Sequence, residues 1–382
     1  MKYLHLLSLI SILMLSSGCV EKQPTTSSTS SSTLPSIILS ADDSTTNYPS
    51  DVLFDARQLY SSSLGGAYAN NNTLHQFINE MINKYHFNRS YLYGVFSSVT
   101  RDTQALQKYN VYKTGKPIAK ATQPGDWDKY RAQFLTDARI SKGVEFWKEN
   151  RYYLEKAAHQ YGVAPEYIVG IIGVETNFGR YTGTHSVLNA LTTLSIEFRD
   201  RQKFFTNQLE NYLLLTADQK LDPRAIKGSY AGAFGLAQFM PDSFRDYAVD
   251  HDGNGQINIF TKADAIGSVA NFFVKKGKWN PQIPVAIPVN YSKARFSGLL
   301  TGRTTSYSQS HLSGLGMRPA ANFYGYTGNV ALISLNRYNR DELWWGTPNF
   351  VAITKYNPQE YYAMAVHQLA QAVRFSYYQQ SR

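Results

Sequence analysis

Pro165-Glu-Tyr-Ile-Val-Gly-Ile-Ile-Gly-Val-Glu175-Thr-Asn-Phe-Gly179 is an apolar run that ends in a single acid. Ile168, Val169, Ile171, Ile172 and Val174 are what a buried helix carries, and Pro165 is placed to start it. A carboxyl group held there favours its protonated form, because burial penalises the charge. A carboxylic acid that keeps its proton near neutral pH can serve as a general acid, and protonating a glycosidic oxygen needs such a group. Glu175 read alone also fits a structural part, as a cap or a partner of Arg180, because buried acids are usually paired.

A second stretch bears on the same question: Lys227-Gly-Ser-Tyr-Ala-Gly-Ala-Phe-Gly-Leu-Ala-Gln-Phe-Met-Pro241. Gly228, Gly232 and Gly235 stand among small residues, a spacing that lets backbone approach a ligand closely. Ser229 and Gln238 are polar groups able to orient sugar hydroxyls. A tightly packed crossing of helix and loop explains the glycines equally well.

A third stretch is Asp250-His-Asp252-Gly-Asn254-Gly-Gln256-Ile-Asn-Ile-Phe-Thr-Lys-Ala-Asp264. Oxygen side chains at loop positions 1, 3 and 5, a glycine at 6 and an apolar residue at 8 form the EF-hand calcium pattern, with the Gln256 carbonyl at position 7. Thr261 stands where the bidentate glutamate belongs. Runs of Asp, Asn and Gly also make ordinary turns. His251 falls between ligand positions and is not expected to coordinate.

The chain has 382 residues, 43% hydrophobic and 17% charged, enough for a large core. Its net charge is +10, but the basic residues are scattered, with Lys275, Lys276 and Lys278 the densest group. That pattern suits weak attraction to an anionic polymer or surface and argues against nucleic acid. Lys2 and the apolar Leu6 to Leu15 read as a secretory signal over 1–18. Ser16-Ser-Gly-Cys19 resembles a bacterial lipobox, and Cys19 is the only cysteine. Lipidation of Cys19 reconciles export with the lack of any intrachain disulfide. Val20 replaces the acidic residue of inner-membrane retention, so a periplasmic enzyme anchored to the outer membrane is expected.

Residues 19–50 are rich in Ser and Thr and read as a tether. Leu74, Phe77, Ile78, Met81 and Ile82 share a helical face within an N-terminal helical region, 51–126. Residues 110–126 read as a loop. Helical pattern resumes through Trp127, Tyr130 and Phe134, then Phe146, Trp147, Leu154 and Ala158, with Gly162 as its stop. A helix is expected from about Arg201 to Thr216. Val285, Ile287, Val289 and Tyr291 alternate as a half-buried strand and 330–335 is a second candidate, giving a β-rich insert over 281–345. A closing helix runs from Glu360 to Phe375 within 346–382. The fold class is mainly α (α+β), with no internal repeat.

Taken together, Glu-Thr-Asn-Phe-Gly-Arg at 175–180, Gly-Ala-Phe-Gly-Leu-Ala-Gln-Phe-Met-Pro at 232–241, Thr-Lys-Tyr-Asn at 354–357 and Tyr-Ala-Met-Ala-Val at 362–366 resemble the membrane-bound lytic murein transglycosylase B family. The resemblance runs from about residue 74 to about 376. It implies a lysozyme-like catalytic core over 127–280 that cleaves the β-1,4 bond between N-acetylmuramic acid and N-acetylglucosamine. It implies one glutamate, Glu175, acting as acid and then base, and a 1,6-anhydro product. Ser229, Gln238, Tyr356, Asn357 and Tyr362 would line the cleft. Arg201 matches the second of two family arginines that contact the muramyl peptide, and Asp200 replaces the first, a charge reversal. Asp264 would close an enlarged metal loop, with Ca2+ as a structural ion and Na+ as the alternative. Peptidoglycan strands are the expected partner, with cell-wall synthesis enzymes as further candidates. A hydrolytic muramidase of the same fold and a non-catalytic murein-binding lipoprotein stay open at this level.

Overall fold

The computed structural model describes residues 59–114, 123–321, 323 and 325–380. The expected signal segment, the tether and Cys19 lie outside the described residues.

The chain is mostly helical. The first three helices are α1 (Asn72–Tyr85), α2 (Arg89–Ser97) and α3 (Thr103–Thr114). Asn71 and Asn88 cap α1 and α2 by accepting from backbone amides, Leu74 and Tyr91 respectively. Of the loop expected over 110–126, residues 110–114 instead continue α3, and 115–122 lie outside the described residues. The pattern from Trp127 to Ala158 divides into α4 (Asp126–Arg131), α5 (Asp137–Glu149) and α6 (Arg151–Tyr161). Thr136 caps α5 through its side chain, and Gly162 ends α6 in the left-handed region at φ 67°.

Helix α7 (Pro165–Thr176) is buried from Glu166 to Thr176, as expected of a helix apolar on every face. It crosses α14 (Glu360–Gln379) closely. Gly170 permits this, since a Cβ there would stand 2.9 Å from the Val366 carbonyl oxygen. Helices α8 (Val187–Glu197) and α9 (Gln202–Asp218) pack as a pair on the other side of the glycine-rich segment, joined by a short 3-10 turn, Arg199–Arg201. Helices α10 (Pro241–Tyr247) and α11 (Lys262–Lys275) flank the acidic loop. Two short strands, β1 (His185–Ser186) and β2 (Lys227–Gly228), pair antiparallel and tie the segment after α7 to the glycine-rich loop.

The later part of the chain carries a four-stranded antiparallel sheet in the order β4-β3-β6-β5. Its strands are β3 (Ala286–Asn290), β4 (Arg318–Pro319), β5 (Ala331–Asn336) and β6 (Asp341–Gly346), and α12 (Gln309–Gly314) lies between β3 and β4. The two strands expected from the sequence are present. β6 was not expected and is the central partner of both, with Ile287 and Leu332 each opposite Trp345. One face of the sheet (Ala331, Ile333, Leu335, Trp344) joins the helical core, and the other (Ile287, Val289, Leu332, Leu343, Trp345) forms its own cluster. A strand covered on both faces loses the alternation that marks a half-buried one, which is why β6 is hard to read. Helix α13 (Pro348–Ile353) returns the chain to the core before α14, which extends past Phe375 to Gln379.

Candidate active site

Glu175 sits in the last turn of α7 and is 4% exposed. The helix stops immediately after it. Asn177 and Phe178 adopt φ 50° and 62°, and their amides donate back to Gly173 O (3.2 Å) and Ile172 O (3.3 Å). Thr176 fastens this turn to the glycine-rich loop: its hydroxyl donates to Leu236 O at 3.0 Å and accepts from Gly179 N at 3.0 Å. The acid is thus set by backbone on both sides.

Burial pushes the Glu175 carboxyl up to about 7, against the opposing hydrogen bond from Tyr362. Tyr362, on α14 and fully buried, donates to Oε1 at 2.6 Å. Among the described residues no second carboxylate adds to the field at Glu175. Tyr130 of α4, Tyr356 and Tyr362 are the phenols that feel its charge, and burial together with that charge holds all three above the ordinary range. Tyr130 is the residue the sequence reading missed. Its ring lies 5.7 Å from that of Tyr361, the neighbour of Tyr362.

The other expected site residues are distributed as follows. Tyr356 donates to Ala237 O at 2.5 Å, pinning the C-terminal side of the site to the glycine-rich loop. Asn357 is buried, and its Oδ1 has no hydrogen-bond partner among the described residues. Gln238, at φ 48°, turns its amide inward to Thr182 O (3.0 Å) and Gly235 O (2.9 Å). Ser229 is fully buried, and its hydroxyl accepts from Ala231 N (3.3 Å) and Ala233 N (3.0 Å). Those two amides fix the hydroxyl within its own loop and leave its proton to donate. Arg201 is half-buried, with its guanidinium 4.0 Å from the Phe204 ring centroid.

The acidic loop gathers three of its acids: carboxylate oxygens of Asp250, Asp252 and Asp264 come within 4.8 Å of one another. Asp250 Oδ1 accepts from Gly253 N at 2.7 Å and Oδ2 from Gly255 N at 2.7 Å, while Asn254 Oδ1 accepts from Gln256 N at 2.8 Å. Thr261 instead caps α11, and the fully buried Asp264 reaches back from that helix to accept from His251 N (2.8 Å) and Asn258 N (2.7 Å). Burial raises the Asp264 carboxyl, and Asp252 adds to that rise. Three carboxylates and an amide oxygen are hard donors of the kind a calcium ion takes. His251 is directed away, with Nε2 3.0 Å from Tyr153 O.

A family model, the transglycosylase SLT domain, matches residues 69–371. The chain belongs to this lytic transglycosylase family. It is 40% identical over 332 residues to the membrane-bound lytic murein transglycosylase B of Escherichia coli (strain K12), covering 87% of this chain and 91% of that relative. Among solved structures it is similar to an Escherichia coli lytic transglycosylase in complex with calcium, with a TM-score of 0.76, 41% identity and coverage of 82% of this chain and 96% of the other. It is also similar to SltB3 of Pseudomonas aeruginosa in complex with NAG-NAM-pentapeptide, with a TM-score of 0.69, 25% identity and coverage of 80% of each chain. The mainly helical, lysozyme-like fold read from the sequence is that of these transglycosylases.

Proposed function

We propose that this transglycosylase cleaves the β-1,4 bond between N-acetylmuramic acid and N-acetylglucosamine in peptidoglycan, with Glu175 as its only acid–base residue. The observation that carries the reading is a buried glutamate, raised to about 7, with no second carboxylate in its field among the described residues. A retaining hydrolase uses two carboxyl groups about 5 Å apart. One carboxyl suffices when the nucleophile belongs to the substrate. Protonated Glu175 gives its proton to the glycosidic oxygen as the C1–O bond breaks. The resulting carboxylate, steadied by the Tyr362 hydroxyl, draws the proton from the muramic 6-hydroxyl. O6 then bonds to C1, giving the 1,6-anhydro end without consuming water, and Glu175 returns to its starting state.

Asn357 Oδ1, buried and unpartnered, offers an acceptor to a sugar amide or hydroxyl. Tyr356, Gln238 and Ser229 keep the glycine-rich wall in shape. Arg201 lies toward the muramyl stem peptide. Asp250, Asp252, Asn254, the Gln256 carbonyl and Asp264 hold a structural calcium that neutralises their clustered charge and pins the loop between α10 and α11. Lipid on Cys19 and the 19–50 tether place the enzyme in the periplasm at the outer membrane. The catalytic core spans 127–280, with 51–126 as a helical wall, 281–345 as the β-rich insert and 346–382 completing the core.

Glu175→Gln keeps the size and hydrogen-bonding reach of the side chain but cannot give and retrieve a proton. The variant is expected to release almost no soluble muropeptide from sacculi while melting cooperatively. Undiminished release would overturn the assignment.

A further inference from the structure

Helix α4 has only six residues, Asp126–Arg131, and a helix that short does not hold itself. It nevertheless carries Tyr130, one of the three phenols that feel the charge of Glu175. What fixes α4 comes from the β-rich insert. The turn joining β5 to β6, residues 337–340, closes on Asp128 and occupies both of its carboxylate oxygens. Arg337 Nε donates to Oδ1 at 2.8 Å, and Tyr338 N donates to Oδ2 at 2.9 Å. The Tyr338 ring covers Gly125, the residue that starts α4, where a Cβ would collide with it.

The turn is itself held from behind. Arg295 donates to the carbonyls of Arg337 (3.1 Å) and Tyr338 (2.8 Å) and to Asp341 Oδ1 (2.9 Å). Arg337 Nη1 donates to Glu342 Oε2 at 3.0 Å, so its guanidinium is fixed between two acids. The strand end before the turn reaches α14 as well. Asn336 N donates to the Tyr361 hydroxyl at 3.3 Å, and the Tyr361 ring lies 5.2 Å from that of Trp127 and 5.7 Å from that of Tyr130. One hairpin therefore braces the neighbours of both Tyr130 and Tyr362. The Arg337 side chain is 42% exposed, and an ion pair so open to water adds little to global stability. Its worth is geometric, because a planar fork of donors fixes direction as well as distance.

We infer that Arg337 is a positioning residue for the reaction: through Asp128 it seats α4, so that Tyr130 closes one side of the Glu175 pocket and keeps water from the carboxyl. This rests on the reading of Glu175 as the acid–base residue. Tyr130, Tyr356 and Tyr362 are the titratable groups facing Glu175, and α5 brings Arg139, which donates to Gly173 O at 3.3 Å. Among the described residues no charged side chain adds to the field at Glu175. A change in its titration on altering Arg337 therefore reports entry of water, not loss of a charge.

The test measures kcat and KM against pH on soluble glycan strands. Arg337→Met keeps an unbranched stem and removes the fork. It should melt cooperatively, and kcat at pH 7 should fall about tenfold with KM little changed, since Arg337 holds α4 rather than substrate. The alkaline fall of kcat/KM should move to lower pH, because a hydrated carboxyl loses its proton sooner. Arg337→Lys, which keeps the ion pair, should keep the wild-type profile. Asp128→Asn should match Arg337→Met, and the double variant should be no worse than either, since both act through one contact. Should Arg337→Met not fold, Asp128→Asn, which keeps an acceptor for Tyr338 N, carries the test. A lower kcat with an unmoved pH profile, or an undiminished kcat, would overturn the assignment of Arg337 and leave the reading of Glu175 standing. A wild type with no alkaline fall near neutral pH would overturn both.

Discussion

Tyr362 donates to Glu175 Oε1 across 2.6 Å, at a point where both side chains are almost wholly withdrawn from water. Two effects compete there. Burial favours the neutral acid, and the hydrogen bond favours the carboxylate. Burial wins, and the balance settles at about 7. A group with that value is ready to give a proton and then to take one near neutral pH.

Removing the donor shifts the balance. In Tyr362→Phe the Glu175 carboxyl rises further, since the bond that lowers it is gone. Because the first step needs the protonated acid, the fall of kcat/KM on the alkaline side should move to higher pH. Loss of a bond to the carboxylate formed mid-turnover should also lower kcat by about tenfold. An unchanged pH profile would count against the coupling of the two residues.

The same burial has a stability signature. The folded carboxyl titrates at about 7, above its ordinary 4.5, so the folded state holds this proton more tightly than the unfolded state does. Its contribution is fully present below about 4.5 and is lost as pH rises through about 7. By pH 8 the loss is on the order of 3 kcal/mol. Glu175→Gln does not titrate, so its gain in Tm over wild type should grow from pH 5 to pH 8. Calorimetry giving a constant difference would contradict a raised Glu175.

His367 predicts the opposite limb. It is buried on α14, its Nδ1 lies 3.0 Å from the Tyr167 hydroxyl, and burial pushes it down from 6.5 to about 4. Here the unfolded state binds the proton more tightly. Stability is full above about 6.5 and falls as pH drops toward 4, by on the order of 3 kcal/mol. Thermal melting of His367→Gln across that window should show a flatter pH dependence than wild type. An equally steep acid limb would show that the loss arises elsewhere.

Calcium should raise the melting temperature of wild type and leave that of Asp252→Ala nearly unchanged, since only a folded loop with its donors complete gains from the ion. Melting with added calcium and with a chelator decides this. Identical curves for wild type under both conditions would count against the site.

Much of this was legible from the chain itself, and the exceptions have physical causes. Helix α7 could be read because Gly162 and Pro165 punctuate it and its residues are apolar on every side. The acidic loop could be read because oxygen donors and glycines recur at fixed spacing; only the part played by Thr261, capping α11, depends on where that helix begins. β6 escaped because it lies between β3 and β5 and is covered on both faces. Tyr130 escaped because its approach to Glu175 is made by the packing of α4 against α14, which no local pattern encodes. Ser229 could be read as a polar residue in the glycine-rich loop, but the two loop amides that its hydroxyl accepts from follow from the turn that encloses it.

The most direct test of the central claim is the mass of the muropeptides released from sacculi by wild type. A single acid acting with the muramic 6-hydroxyl predicts 1,6-anhydro ends and no reducing ends, with both product classes absent in Glu175→Gln. Products heavier by one water, carrying reducing ends, would contradict it.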